Sequence, residues 1–361
     1  ARGLAVTLGV AISVAALAAC QPTKKGGGGT PNLTVNVILG GLNNPWDIAF
    51  APDAWYFTER SGGINAMVNG NRVLFGAPSD IRPGGEGGMM GIAVDPNYAA
   101  NRFIYTCFSS NLGPDNRVVR WFVPADFSGI IRSADIAVMP YNVGSTGRHS
   151  GCRLKFGPDG FLWVGTGDAA DCNNPQNLGS NGGKVLRMDG NGAPTPGNPF
   201  GSVIWSYGHR NVQGIAFRPG DGQPYSVEHG PDRDDEVNIE INGANYGWAP
   251  TCTYGEGVPM TFAGGQPAVW SSGVPTIAPS GATFLSGPQW KGWNGALAVA
   301  VLKAHHLHIY FLNAQGGIGG ETIALPNAPR LRSATLGPDG NLYITTDVGG
   351  GGGQIWQVVP S

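Results

Sequence analysis

The chain has 361 residues, 60 of them Gly and 28 Pro, while 41% are hydrophobic. Turn-formers at that density, with no collagen period and an ample apolar fraction, exclude a fibrous or disordered chain and favour a loop-dense all-β globule. A formal net charge of −2 with 13% charged residues leaves no basic field and excludes nucleic acid as a partner.

The N-terminal segment reads as an export signal. Behind Arg2, residues 6–19 form an apolar run too short for a membrane span. The run closes on Leu17-Ala18-Ala19-Cys20, which resembles a bacterial lipoprotein signal with Cys20 as the acylated residue. Residues 1–20 are expected to be leader and 21–32, rich in Lys and Gly, a flexible linker. The folded domain is expected over 33–361, in a periplasmic or cell-surface protein that meets the membrane only through its lipid anchor.

From Leu33 onward one unit recurs. A strand runs into a Pro/Asp/Gly turn and out into a second strand. It begins at Ile48-Ala49-Phe50-Ala51-Pro52-Asp53 and returns at Ile92-Ala93-Val94-Asp95-Pro96. The clearest copy is Leu154-Lys155-Phe156-Gly157-Pro158-Asp159-Gly160 into Phe161-Leu162-Trp163-Val164. Further copies start at Ile215, at Ala282 and at Ala334, the last with Gly337-Pro338-Asp339-Gly340. Each unit is expected to be a β-hairpin with a tight two-residue turn, because Asp-Gly tolerates the positive φ such a turn needs. Six units predict an all-β, six-bladed β-propeller. Segments 33–39 and 355–359 are the expected partners that close the ring.

Four cysteines follow the leader: Cys107, Cys152, Cys172 and Cys252. An even number in an exported chain favours disulfides. Three pairings are open, with Cys107–Cys152 and Cys172–Cys252 favoured over the other two and over four buried thiols.

Three stretches carry chemistry. His149, in Arg148-His149-Ser150-Gly151, enters the third hairpin from a Gly-flanked loop and suits a general base near neutral pH. Asp168, at the far end of that hairpin, can return to the same rim and orient the imidazole. Gly208-His209-Arg210-Asn211-Val212-Gln213-Gly214 leads to Glu228-His229-Gly230-Pro231 and then to Asp234-Asp235-Glu236. Guanidinium and amides suit an anion, and oxygens suit a hard cation beside it. Of His305, His306 and His308, strand alternation puts the last two on one side, and a solvated edge is expected there.

These strings together resemble the pyrroloquinoline quinone (PQQ)-dependent glucose/sorbosone dehydrogenase family. The resemblance runs in order from about Asn44 to Val358 and includes Gly87-Gly88-Met89-Met90-Gly91-Ile92-Ala93 and Asn245-Tyr246-Gly247-Trp248. It implies oxidation of an aldose at C1 to the lactone, with His149 removing the proton from the anomeric hydroxyl, Asp168 supporting it, and hydride passing to C5 of PQQ. Arg210 would polarise the quinone carbonyl. Asn211, Gln213, Thr276, Lys303, Arg330 and Arg332 would line the cofactor, the two arginines sharing one side of a strand. The backbone carbonyls of Gly230 and Pro231 would hold Ca²⁺. Glu236 and the Tyr246 carbonyl would hold a second, structural Ca²⁺. Glu86 stands where the longer glucose dehydrogenases of the family carry an amide near the sugar. The electrons would leave to an external quinone, cytochrome or dye. A calcium-dependent propeller lactonase is the alternative, but it gives Arg330 and Arg332 no role. A non-catalytic sugar-binding propeller is the other alternative.

Overall fold

The structure is a computed structural model that describes residues 28–145, 147–252, 255 and 257–361. The expected leader, Cys20 and residues 21–27 of the expected linker lie outside the described residues. The rest of that linker is tied down: Gly29 O accepts from Gly292 N, and Asn32 and Ser361 exchange both backbone hydrogen bonds at 2.9 Å.

Six four-stranded antiparallel sheets follow one another along the chain, as the hairpin repeat predicts. Five are built from consecutive strands. The sixth takes Leu33–Leu42 as its outermost strand beside Gly353–Pro360, with Val35 opposite Val358 and Leu39 opposite Ile355. The chain ends therefore close the ring by pairing the two expected segments, and a closed ring leaves only short sheet edges.

The first strands of the blades are Pro45–Phe50, Met89–Val94, Gly151–Phe156, Val212–Phe217, Pro279–Phe284 and Leu331–Leu336. Each touches the next, and the last touches the first. They line the central channel and run in the same direction, so their N-terminal ends share one mouth. Two glycines permit the close approach. A Cβ on Gly91 would stand 2.2 Å from Cys152 O, and one on Gly214 would stand 2.3 Å from Ser280 O. Apolar residues of adjoining blades fill the space between sheets, as where Met90, Tyr105 and Val118 meet Leu154, Val164 and Leu186.

All six inner strands break register at the mouth, between Pro45 and Ile48, Met89 and Ile92, Gly151 and Arg153, Val212 and Gly214, Pro279 and Ala282, and Leu331 and Ser333. A bulge leaves its extra residue unpaired and re-aims its side chain. Gln213 and Arg332 occupy two of these unpaired positions.

The turns are wider than the two residues expected. Phe156 pairs with Leu162 and Leu336 with Leu342, so the Pro-Asp-Gly sequences occupy loops. Gly160 and Gly340 still take the positive φ, +78° and +76°. The aspartate's role is to accept: Asp159 Oδ1 takes Phe161 N–H and Asp339 Oδ1 takes Asn341 N–H. Both favoured disulfides are present. Cys107–Cys152 joins blades two and three, and Cys172–Cys252 ties two mouth-side loops.

Candidate active site

His149 stands at the mouth, one turn before the inner strand of blade three. Its φ of +57° is unusual for a residue with a Cβ, and its surroundings hold it there. Its backbone N–H donates to Glu86 Oε2 at 2.9 Å, and its carbonyl packs so closely on Gly167 that a Cβ there would lie 1.7 Å away. The buried imidazole meets Asp168 Oδ1 through Nδ1 at 2.7 Å. The same oxygen accepts Ala170 N–H at 2.7 Å, and Oδ2 accepts Trp248 Nε1–H at 2.7 Å. A carboxylate that accepts at Nδ1 keeps the proton on that nitrogen and makes Nε2 the basic one.

Beside the imidazole lies a layer of amides. Asn211 Oδ1 accepts from Gly151 N at 3.0 Å and from Gln213 Nε2 at 3.4 Å. Gln213 Oε1 accepts from Arg332 Nη1 at 3.0 Å. Arg332 Nη2 in turn donates to Asp347 Oδ2 at 2.6 Å. Three more groups converge on Asp347: Asn44 Nδ2 at 2.8 Å, Arg330 at 3.6 Å and Arg60 at 3.9 Å. Burial alone would raise this carboxyl, but Arg332 and Arg60 overcome it and hold it well below the usual carboxylate range. The indole of Trp46 lies beneath, 4.1 Å from the Arg153 guanidinium carbon and 5.7 Å from that of Arg332.

On the opposite flank, Arg210 lies over the Trp248 ring and donates through Nη1 to the carbonyls of Gly230, 2.7 Å, and His229, 3.0 Å. Asp235 binds this corner to the next blade by accepting Gly230, Ile277 and Ala278 N–H at 2.9, 2.6 and 2.7 Å. Lys303 Nζ donates to Thr276 Oγ1 at 2.7 Å. His229 reports the resulting field. Burial, then Arg332 and Arg210, push its imidazole down to about 3, so it stays neutral and donates Nε2–H to Pro279 O.

The fold thus gathers Glu86, His149, Asp168, Arg210, Asn211, Gln213, Gly230, Thr276, Lys303, Arg330 and Arg332 into one rim, with Pro231 next to Gly230. Two expectations are corrected. Arg330 precedes the strand Leu331–Leu336 rather than alternating along it, and reaches Asp347 from the loop. His306 and His308 are buried, not solvated: Trp270 from blade four and Tyr310 cover His308, and the His306 ring packs against His308. Their rings are linked at 3.2 Å, and burial and then His306 push His308 down to about 4.

Sequence reasoning missed Arg60, Asp347, Asn44 and the bond from Trp248 to Asp168. A signal for Asp347 exists in the repeat. In four of the six blades the second strand returns to the mouth and ends on an acid or within two residues of one: Glu59, Asp168, Glu228 and Asp347.

The residues fit a polyanionic cofactor. Arg332 Nε is buried without a hydrogen-bond acceptor among the described residues, and Arg60, Arg330 and Lys303 share its rim. A hard cation at this mouth would rely on backbone carbonyls, cofactor and water oxygens, since no three His, Cys, Asp or Glu side chains gather as a metal site among the described residues. Glu236 and Tyr246 lie by the buried His209–Glu228 pair. His209 Nδ1 meets Glu228 Oε1 at 2.7 Å and its ring stacks on Tyr246. Asn238 Nδ2 bridges Glu228 and Glu236, while its Oδ1 is buried with no partner among the described residues. Burial and then Glu228 push the Glu236 carboxyl well up. An unpaired amide oxygen beside a carboxyl that burial and a like charge disfavour as an anion suits a hard cation, which would offset that cost.

Residues 42–357 match the family model described as Glucose / Sorbosone dehydrogenase. The chain is 30% identical to aldose sugar dehydrogenase YliI of Escherichia coli, over 91% of this chain and 93% of that one. It is 29% identical to quinoprotein glucose dehydrogenase B of Acinetobacter calcoaceticus over 62% of this chain and 54% of that one. Among solved structures, the PQQ-bound aldose sugar dehydrogenase of Streptomyces coelicolor superposes with a TM-score of 0.78 at 30% identity, covering 92% of this chain and all of that one.

Proposed function

The chain belongs to the glucose/sorbosone dehydrogenase family and is a PQQ-dependent sugar dehydrogenase, and from that premise we propose that it oxidises an aldose at C1 to the lactone at the rim built around His149. The observation that carries the reading is the buried His149–Asp168 pair, 2.7 Å apart, on a mouth ringed by cations.

His149 Nε2 takes the proton of the anomeric hydroxyl. Asp168 fixes the tautomer and stabilises the imidazolium that results, and Trp248 fixes Asp168. Glu86 holds the His149 backbone in its left-handed conformation, so it positions the base as well as standing at the sugar's entrance. Arg332, Arg330, Arg60 and Lys303 supply the charge-assisted bonds that the carboxylates of PQQ require. Arg210, Asn211, Gln213 and Thr276 complete its bed. When bound, PQQ supplies the acceptor for the electron pair that leaves the anomeric carbon. Arg210 then stands ready to stabilise developing negative charge.

Calcium belongs to the same proposal. Gly230 and Pro231 carbonyls would hold one ion. The Gly230 oxygen, which already accepts from Arg210, has a second lone pair for it. Glu236 and the Tyr246 carbonyl would hold the other, with Asn238 Oδ1 beside them. The electrons pass to an external quinone, cytochrome or dye. Export and lipidation at Cys20 complete the proposal. Cys20→Ala should move the protein from the membrane fraction to the soluble one, and unchanged partitioning would remove the anchor.

The test is dye reduction by apoprotein reconstituted with PQQ and Ca²⁺, screened across aldoses. His149→Ala should lower turnover by ~10²–10⁴, the range of a positioned acid–base group, with PQQ uptake intact. Background-level reduction with every aldose by folded protein would overturn the assignment.

A further inference from the structure

A second chamber lies beneath the active site, inside the same ring of strands. The plug between the two is Trp46, Asp47 and Arg153. Arg153 packs on the Trp46 indole, pairs with Asp47 Oδ1 at 2.7 Å and donates Nε–H to Gln213 O at 2.7 Å. Below it, the C-terminal halves of the inner strands line a cavity of about 270 Å³ that is open to solvent. Phe50, Ile92, Val94, Phe156 and Leu336 supply apolar walls, and Lys155 contributes an ammonium.

The charges in this chamber do not balance. Asp47 is matched by Arg153 and also accepts Ile48 N–H at 3.0 Å and Ile92 N–H at 3.3 Å. Lys155 is left with no ion pair and no hydrogen-bond acceptor among the described residues. Burial pushes its ammonium down only to about 8, so it remains charged at neutral pH. Lys155 is only half-buried, so its ammonium is reachable from the channel and free to form a charge-assisted bond with an entering anion. The walls set the rest of the ligand. A polyhydroxylated sugar acid would bury hydroxyls without partners, whereas a hydrocarbon or aromatic body would not.

We propose that this chamber binds a small carboxylate with an apolar body, its carboxylate on Lys155 Nζ and its body against Phe50 and Phe156. The site is distinct from the sugar-oxidising mouth, since the Trp46–Asp47–Arg153 plug separates them. It therefore stands or falls independently of the catalytic assignment.

Calorimetric titration of the full chain with sodium octanoate at pH 7, beside 1-octanol as the uncharged control, tests it. The wild type should bind octanoate saturably at one per chain and more tightly than 1-octanol. Lys155→Met should weaken octanoate by ~10–100-fold, as expected for loss of a charge-assisted bond, while Lys155→Arg retains binding within about threefold. Thermal melts of both variants establish that they are folded. Absence of saturable octanoate binding by the wild type, equal affinity for 1-octanol, or undiminished binding by folded Lys155→Met would each overturn the proposal.

Discussion

Asp168→Asn tests the catalytic pair with almost no change in volume. The carboxylate accepts three hydrogen bonds. His149 Nδ1 and Ala170 N share Oδ1, and Trp248 Nε1 takes Oδ2, all at 2.7 Å. An asparagine has one acceptor oxygen and one donor nitrogen in the same places. If its oxygen faces His149 and Ala170, its NH₂ opposes the Trp248 N–H. If it flips, the NH₂ opposes Ala170 N–H and forces His149 into the other tautomer, with the proton on Nε2. Either orientation buries a donor against a donor, which costs about 1–3 kcal/mol of stability. Either also removes the negative charge that stabilises the imidazolium. Turnover should fall by ~10²–10⁴, equivalent to about 3–5.5 kcal/mol on the barrier, with a much smaller change in KM. Dye reduction by reconstituted enzyme gives kcat and KM, and a PQQ titration of the same sample shows that uptake is preserved. A kcat within threefold of wild type, in a variant that still takes up PQQ, would refute the assigned role of the pair.

The other predictions concern the cations, the second ion and the covalent ties. Arg332→Ala should weaken PQQ binding by ~10–100-fold, since it removes a charge-assisted donor; fluorescence titration of the apoprotein reads the change. Removing Ca²⁺ with EDTA should lower the melting temperature, and Glu236→Gln should diminish that response by the share of the second ion. The sign with pH follows from Glu236. Its folded value lies above the ordinary 4.5, so the native state holds a proton the unfolded chain has lost. In EDTA, stability should therefore fall as pH rises from about 4.5 through the raised value, and Glu236→Gln should flatten that slope in urea unfolding measured across pH. Replacing both Cys107 and Cys152 by Ala opens a link across a sequence separation of 45 and should cost about 4 kcal/mol by loop-closure entropy, measured by urea unfolding.

The blades were legible because each repeats an apolar strand and a Pro-Asp-Gly turn, and the ring closure because the two end segments are the strands left over. His149 and Asp168 were legible because one short hairpin carries both. Asp347, Asn44 and Arg60 were not. Asn44 and Asp347 are 303 positions apart, and only closure of the ring joins them. The burial of His308 depends on Trp270 of the neighbouring blade, and no pattern within its own strand encodes that cover. The bulges that turn Gln213 and Arg332 into the mouth are likewise products of strand pairing, not of local propensity. Lys155 lies in the inner strand of blade three, and only the closed ring makes it a cation facing apolar walls from several blades.

Stoichiometric titration of the apoprotein with PQQ in the presence of Ca²⁺, followed by quenching of the tryptophans beside the rim, bears most directly on the cation-ringed mouth. Saturation at one PQQ per chain, weakened severalfold or more when Lys303 or Arg332 is replaced by Ala, is the expected result. Folded protein that binds no PQQ, or that binds it equally well without those two side chains, would contradict it.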